Sequence, residues 1–334
     1  MSLIKSAAEL PVPSILKMLI YGQPGMGKTT LAVSMPNCLV LDFDKGAYRV
    51  NQEHLQNVDC VEVETWNDIE QVLQMDLRKY DTIVIDTAGK MIDAVIVACC
   101  GTRQPSIRDW SSINAKFKSF TVALNSLGKN QVYIAHRSER QQGENRVFVP
   151  DMREKNFSAL STDLDLIGYC VVKDVKGQKV RTLSFDSSDE HEGKNTCHLP
   201  AVLNIPEIID RDGNVVGENN FLEEYVLKAF QANVAKKKQA GIAFSKLMDE
   251  IADKVNAIKT AEDADEFVEY EKGINHIGSS KERARQLFMN KVNALGYKYD
   301  KDSGHFTDPN NKPEPEPKAE EKTEEKADDK KKAK

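Results

Sequence analysis

Residues 22–29 read Gly22-Gln23-Pro24-Gly25-Met26-Gly27-Lys28-Thr29 and match G-x-x-x-x-G-K-[ST] at every fixed position. Glycines at these places let successive backbone N–H groups turn toward one point without Cβ interference. A helix-compatible run, KTTLAVSM, follows and adds its positive dipole end. Such a loop grips a phosphate chain, with contacts expected from Gly22, Gln23, Pro24, Gly25, Met26, Gly27, Lys28, Thr29 and Thr30. Lys28 would span the β- and γ-phosphates of ATP, and the Thr29 hydroxyl would ligate Mg²⁺. The bland alternative is a Gly-rich turn before a helix.

A magnesium-associated acid should stand at the end of a second apolar strand, and TIVIDT supplies Asp86. A carboxylate after four apolar residues is hard to explain as core, because burying it unpaired is costly. The next residue is Thr87, not the Glu that AAA+ motors usually place there to activate water, so a hydrolytic carboxylate must come from elsewhere. LVLDFDKG offers one: period-two alternation sets Asp42 and Asp44 on one face, with Asp44 at the strand's tip. Asp44 is the candidate for orienting or deprotonating the attacking water; a helix cap or surface strand end is the competing reading. His136 closes QVYIAH and is the candidate γ-phosphate sensor, against an ordinary structural histidine. The candidate catalytic set is therefore Lys28, Asp44, Asp86 and His136, with Thr29 and Asp86 on the metal.

These residues need a frame. From residue 16 to about 185, β-branched runs alternate with helical patterns: LKMLIYG, CLVLDFD, VDCVEVE, YDTIVIDT and QVYIAH read as strands. Thr65 with Asp68 caps one helix, and Ile113, Phe117, Phe120, Leu124 and Leu127 mark the stripe of another. LIGYCVVKDVKGQKVRTLSF reads as a hairpin turning at Lys176–Gly177. The alternation predicts an α/β fold, a mostly parallel sheet flanked by helices. The expected organisation is an N-terminal arm (1–14), this core (15–232), a basic linker (233–240), a three-helix region (241–303) and a disordered mixed-charge tail (304–334). The three helices carry Phe244 to Val255, then Phe267, Ile274 and Ile277 after a Thr260–Asp263 cap, then Leu287 to Leu295 after Ser279, stopping at Gly296. The tail's charges nearly cancel and almost nothing in it is apolar.

The chain has 334 residues and a net charge of −6, which supplies no whole-chain argument for nucleic-acid affinity and leaves local basic patches open. No apolar run is long enough to span a membrane and none resembles a secretory leader, so a cytoplasmic protein with reduced cysteines is expected. HEGKNTCH clusters His191, Cys197 and His198 but lacks a second ligand pair, and reads as a polar loop.

Taken together, YGQPGMGKTTLA, LVLDFDKG, YDTIVIDT, RDWSSI, VYIAHRSER and VPDM resemble the RecA-like P-loop ATPases, and within them the phage nucleotide-binding proteins of the single-strand-annealing type. The likeness covers residues 15–190, with Asp44 where a Glu is usual. It implies an ATP-responsive homo-oligomer that binds single-stranded DNA and promotes annealing or strand exchange, in the host cytoplasm. The residues speak less directly to DNA. Arg137, Arg140, Arg146, Arg153 and Lys155 sit in a mixed-charge segment readable as a phosphate-contacting or simply solvated loop. Phe148 and Phe157 read as core or base-stacking residues, and Trp110 as a packing anchor in preference to a base platform. By the same resemblance, Lys173, Lys176, Lys179 and Arg181 are candidates for the trans-acting cations that reach a neighbouring subunit's γ-phosphate in this class. Two other functions stay open: an ATP-switched loader whose C-terminal helices dock a replication or recombination protein, and a small-molecule kinase, for which no Arg-rich lid is visible.

Overall fold

The computed structural model describes residue 10 and residues 12–175, 178–210 and 212–309. The expected turn at Lys176–Gly177, most of the N-terminal arm and the tail from residue 310 lie outside the described residues. The chain divides into two compact units, Pro11–Lys238 and a second that takes the described residues from Gln239 onward.

The larger unit opens with β1 (Lys17–Gly22), α1 (Lys28–Ala32), β2 (Cys38–Asp42), β3 (Val58–Glu62), α2 (Trp66–Val72), β4 (Thr82–Asp86) and α3 (Ala88–Cys100). It continues with α4 (Asp109–Ser126), β5 (Asn130–Gln142), β6 (Asn145–Pro150), α5 (Glu154–Asp163), β7 (Leu166–Val175), β8 (Gln178–Ser184), β9 (Lys194–Asn195) and β10 (Val202–Asn204). The strand order is β10-β8-β7-β1-β5-β4-β2-β3. From β3 to β7 every neighbour is parallel, and β8 and β10 close one side antiparallel. The phosphate-loop strand β1 is thus central, with β5 between it and the acid-bearing β4. This is the expected mostly parallel sheet flanked by helices.

Both faces of the sheet's centre are covered, which is why β1, β2 and β4 read as nearly unbroken apolar runs. Leu19, Tyr21, Leu39, Leu41, Ile83, Ile85, Tyr133 and Ala135 point to one layer, with α2, α3, α4 and α5. Met18, Ile20, Val40, Val84, Val132 and Ile134 point to the other, against α1 and the segment from Phe221 to Val234. On the first face Ile113, Phe117, Phe120 and Leu124 of α4 are buried as their spacing predicts, and Asp68 accepts from the Thr65 amide at 2.7 Å to cap α2.

Several elements differ from expectation. Helices α3 and α5 carry no clear signal in the sequence reading yet form, the first because it buries Met91, Ile92 and Val95 against the sheet. The segment after His136 is no loop: β5 runs on to Gln142 and pairs with β6, register Arg137↔Pro150 to Gln142↔Asn145. The boundary between the two units falls inside residues 233–240, but these residues are helical and form no irregular linker. They lie inside one helix, α6 (Lys228–Ala257), entered from a π-helical segment Leu222–Leu227. Ala, Lys and Gln are strong helix formers, so AKKKQA stays helical with no apolar period.

In the smaller unit, the C-terminal part of α6, α7 (Ala261–Lys272) and α8 (Ser280–Leu295) share a core of Ile251, Val255, Ala264, Phe267, Ala284, Phe288 and Val292. Thr260 and Asp263 form the reciprocal cap, with the Asp263 amide 3.1 Å from the Thr260 hydroxyl. Ser279 is at the start of α8 but makes no side-chain cap. Gly273 ends α7, so Ile274 and Ile277 stand beyond the helix to which they were assigned. The unit also runs past residue 303: β11 (Lys298–Tyr299) pairs with β12 (Phe306–Thr307), and Phe306 packs edge-on against Phe288.

Candidate nucleotide site

Register alone assembles the strand-end residues. Gly22 is paired with His136 across β1 and β5, and Asp42 with Asp86 across β2 and β4. Since these strands are parallel, their C-terminal tips share one edge of the sheet, where α/β folds bind ligands. Gly22 must lack a side chain there, because a Cβ would collide with the Cys170 carbonyl of β7.

Lys28 is buried, and its Nζ donates back to the loop carbonyls of Gly22 (3.0 Å) and Gln23 (2.8 Å). Burial pulls its pKa down, partly offset by Cys170, Asp86 and Asp44. Thr29 Oγ1 donates to Asp86 Oδ2 at 2.6 Å. Asp86 is only 4% exposed, and burial pushes its carboxyl up to about 6; Asp42 and Asp44 push the same way against the Thr29 hydrogen bond and Lys28. The Asp86–Thr87 peptide is cis. A desolvated carboxylate and a hydroxyl, both hard oxygen donors, beside two more carboxylates and one lysine make a set that suits Mg²⁺ with a nucleotide phosphate. Thr29 and Asp86 would hold the ion, which would neutralise phosphate charge.

Asp44 does not continue the pleat of β2, which ends at Asp42. The Phe43 and Asp44 amides both donate to the Asp86 carbonyl, at 2.6 and 3.1 Å, and this folds the chain over the tip of β4. Asp42 is buried and accepts from the Gly46 (3.1 Å) and Ala47 (2.8 Å) amides, clamping the same turn. Asp42 was missed as a positioning residue, although CLVLD carries the same signal as TIVID, a carboxylate closing an apolar run. The Asp44 carboxylate stays partly open and lies 3.9 Å from His136 Nε2. Burial and Lys28 hold the imidazole below its ordinary pKa, so the ring is neutral at pH 7 and this contact is no ion pair. The buried Nδ1 has no hydrogen-bond partner.

The arginines after His136 are mostly engaged within the chain. Arg137 lies over the Phe148 ring, 4.0 Å from its centroid, and donates to the Tyr169 hydroxyl at 3.2 Å. Arg140 pairs with Glu192, Arg146 lies 3.6 Å from Glu139, and Arg153 stacks on Trp110 at 3.4 Å. Phe157 is buried and Phe148 stacks on Tyr169, so both are packing residues. Beside His136, a cleft of about 220 Å³ is lined by Thr87, Lys90, Asp151 and Arg153. His191 is buried between the Ser184 (3.1 Å) and Ser188 (2.8 Å) hydroxyls, a structural setting. Among the described residues no cluster of three His, Cys, Asp or Glu side chains is placed to hold a metal, and no helix is long and apolar enough to cross a membrane.

A search of curated proteins finds no match. Among solved structures, a KaiC-like protein from the archaeon Pyrococcus horikoshii is similar over 51% of this chain and 77% of its own, at 12% identity and a TM-score of 0.35. The flagellar accessory protein FlaH from Methanocaldococcus jannaschii is similar over 57% of this chain and 90% of its own, at 11% identity and a TM-score of 0.32. The AAA_24 family model, described as an AAA domain, matches residues 14–197, more than half the chain and the whole of the phosphate-loop and strand-tip constellation. The chain therefore belongs to this AAA domain family, the AAA-type P-loop ATPases.

Proposed function

We propose that this protein hydrolyses ATP and acts on single-stranded DNA as a RecA-like homo-oligomer, promoting annealing or strand exchange in phage recombination, repair or replication. The observation that carries the ATPase half is the meeting of Lys28, Thr29, Asp86, Asp44 and His136 at one sheet edge, with Asp44 3.9 Å from a neutral imidazole. In this reading Lys28 leaves the loop carbonyls for the phosphates. Asp44 holds and deprotonates the attacking water, and His136 responds to loss of the γ-phosphate.

The DNA half is supported by continuity. The strand that ends its core pairing at His136 runs without a break into the β5–β6 hairpin, and Lys90 and Arg153 line the cleft beside the same histidine. The resemblance to single-strand-annealing phage proteins points the same way. A second reading, an ATP-switched loader, draws on the smaller unit's own apolar core, which could serve as a docking module.

Hydrolysis measured with and without single-stranded DNA tests the proposal. The rate is expected to rise with DNA, and to fall by roughly 100-fold or more in Lys28→Ala and in Asp44→Asn, the latter with ATP binding preserved. Robust hydrolysis with no DNA binding at low salt would sink the DNA half. Tight ATP binding with negligible turnover, plus capture of a replication protein by the smaller unit, would favour the loader.

A further inference from the structure

Arg181 belongs to β8, two strands away from β1, yet its guanidinium lies along the outer side of the phosphate loop in its own chain. Nη1 donates to the Met26 carbonyl at 3.3 Å, and the Cys170 thiol faces the same oxygen at 3.9 Å. Nη1 also occupies the space where residue 27 would carry a Cβ. Gly27 is in the left-handed region, φ 74°, and opens α1. That glycine therefore answers two demands, a backbone turn and room for a cation against its Cα.

The position is not accidental drift of a long side chain. Arg181 is paired with Val172 in β7, and its carbonyl accepts from the Ile205 amide at 2.8 Å, so its backbone is held on both sides. A phosphate-gripping loop turns its N–H groups inward, which leaves carbonyls facing outward and in need of donors. The guanidinium satisfies one of them with a charge-assisted bond and adds a fixed positive charge behind the loop. Among the hairpin's described cations, Lys173 and Lys179 are exposed while Arg181 is half-buried.

We propose that Arg181 is a cis-acting positioning residue: it braces the phosphate loop of its own subunit from behind, instead of reaching a neighbour's γ-phosphate. This rests on the loop being a nucleotide grip and not on any role with DNA. A brace acts on the shape of the loop, so it should matter for every nucleotide whose β-phosphate sits there.

The test uses the full chain with Arg181→Met and Arg181→Lys. Binding of fluorescent ADP and of a non-hydrolysable ATP analogue, with Mg²⁺, is read at protein concentrations about twentyfold apart, chosen to straddle any assembly. Arg181→Met is expected to weaken both nucleotides by roughly 10- to 100-fold, equally at both concentrations, and Arg181→Lys by a few-fold. A mixture of Lys28→Ala and Arg181→Met chains should hydrolyse ATP no faster than the two apart. If Arg181→Met does not fold, Arg181→Lys alone carries the same comparisons. Unchanged ADP affinity, a loss seen only where chains assemble, or recovery of hydrolysis on mixing would each overturn the proposal in favour of a trans role. Should the wild-type chain bind neither nucleotide, and Lys28→Ala change nothing, the nucleotide-site reading itself fails.

Discussion

Asp86 shows how a single residue's chemistry follows from its surroundings. Its run of apolar neighbours brings it into the sheet edge nearly dry, and dryness raises its pKa from 3.8 to about 6. A carboxyl whose folded pKa is raised contributes stability that is fully present below about pH 4 and is lost as the pH rises through 6. At neutral pH the nucleotide-free protein therefore carries an unfavourable charge that a magnesium ion would relieve. Asp86→Asn is expected to stabilise the nucleotide-free protein by on the order of 2 kcal/mol at pH 7.5 and by almost nothing at pH 4. Urea melts across that range check it; a pH-independent difference would refute the account. The same variant should weaken binding of Mg²⁺ with ATP. Asp44, more open and beside a neutral histidine, was legible in the sequence only as a carboxylate near a strand tip. Its placement comes from two amides donating to the Asp86 carbonyl, which no local pattern announces.

At the scale of elements, the short turn after β2 sets the geometry of the site. Asp42 holds it through the Gly46 and Ala47 amides, so Asp42→Ala leaves two donors without their acceptor. Loss of roughly 1–3 kcal/mol is expected, with hydrolysis falling more than nucleotide affinity, since Lys28 and Thr29 are untouched. Thermal melts and a KM-against-kcat comparison measure it; equal losses in both parameters would mean the turn does not serve Asp44. Strands were legible because burial on two faces leaves a plain apolar signature. Helices α3 and α5 were not, since contacts with the sheet and with other helices stabilise them more than any cap or strict stripe. Helix α6 misled for the opposite reason: its middle owes its form to backbone propensity, while the eye looks for apolar spacing.

At the scale of the whole molecule, the nucleotide-site residues all fall within Pro11–Lys238, and the smaller unit has a separate core. A chain truncated after Lys238 is therefore expected to bind ATP within about threefold of the full-length protein, because domains with their own cores behave as independent units. Calorimetric titration of both chains decides it; a large loss would mean that residues beyond 238 support the loop. The dense clamp of Tyr21, which donates to the Phe148 and Glu192 carbonyls at 3.0 and 2.6 Å, ties β1 to the β5–β6 hairpin inside the larger unit. This is a physical link from the phosphate-loop strand to the hairpin within the larger unit.

The sequence by itself determined the phosphate loop, the acid strand, the alternation that makes a parallel sheet and the three helical patterns near the C-terminus. These are local facts: spacing, propensity and burial leave marks within a few residues. Only the tertiary structure decided that Asp42 clamps while Asp44 stays open, that the arginines after His136 are held by Phe148, Tyr169 and Glu192, and that Arg181 lies on its own phosphate loop. Those assignments hang on which strands become neighbours and in what register. Residues up to 155 positions apart along the chain meet there, and nothing in either stretch alone names its partner.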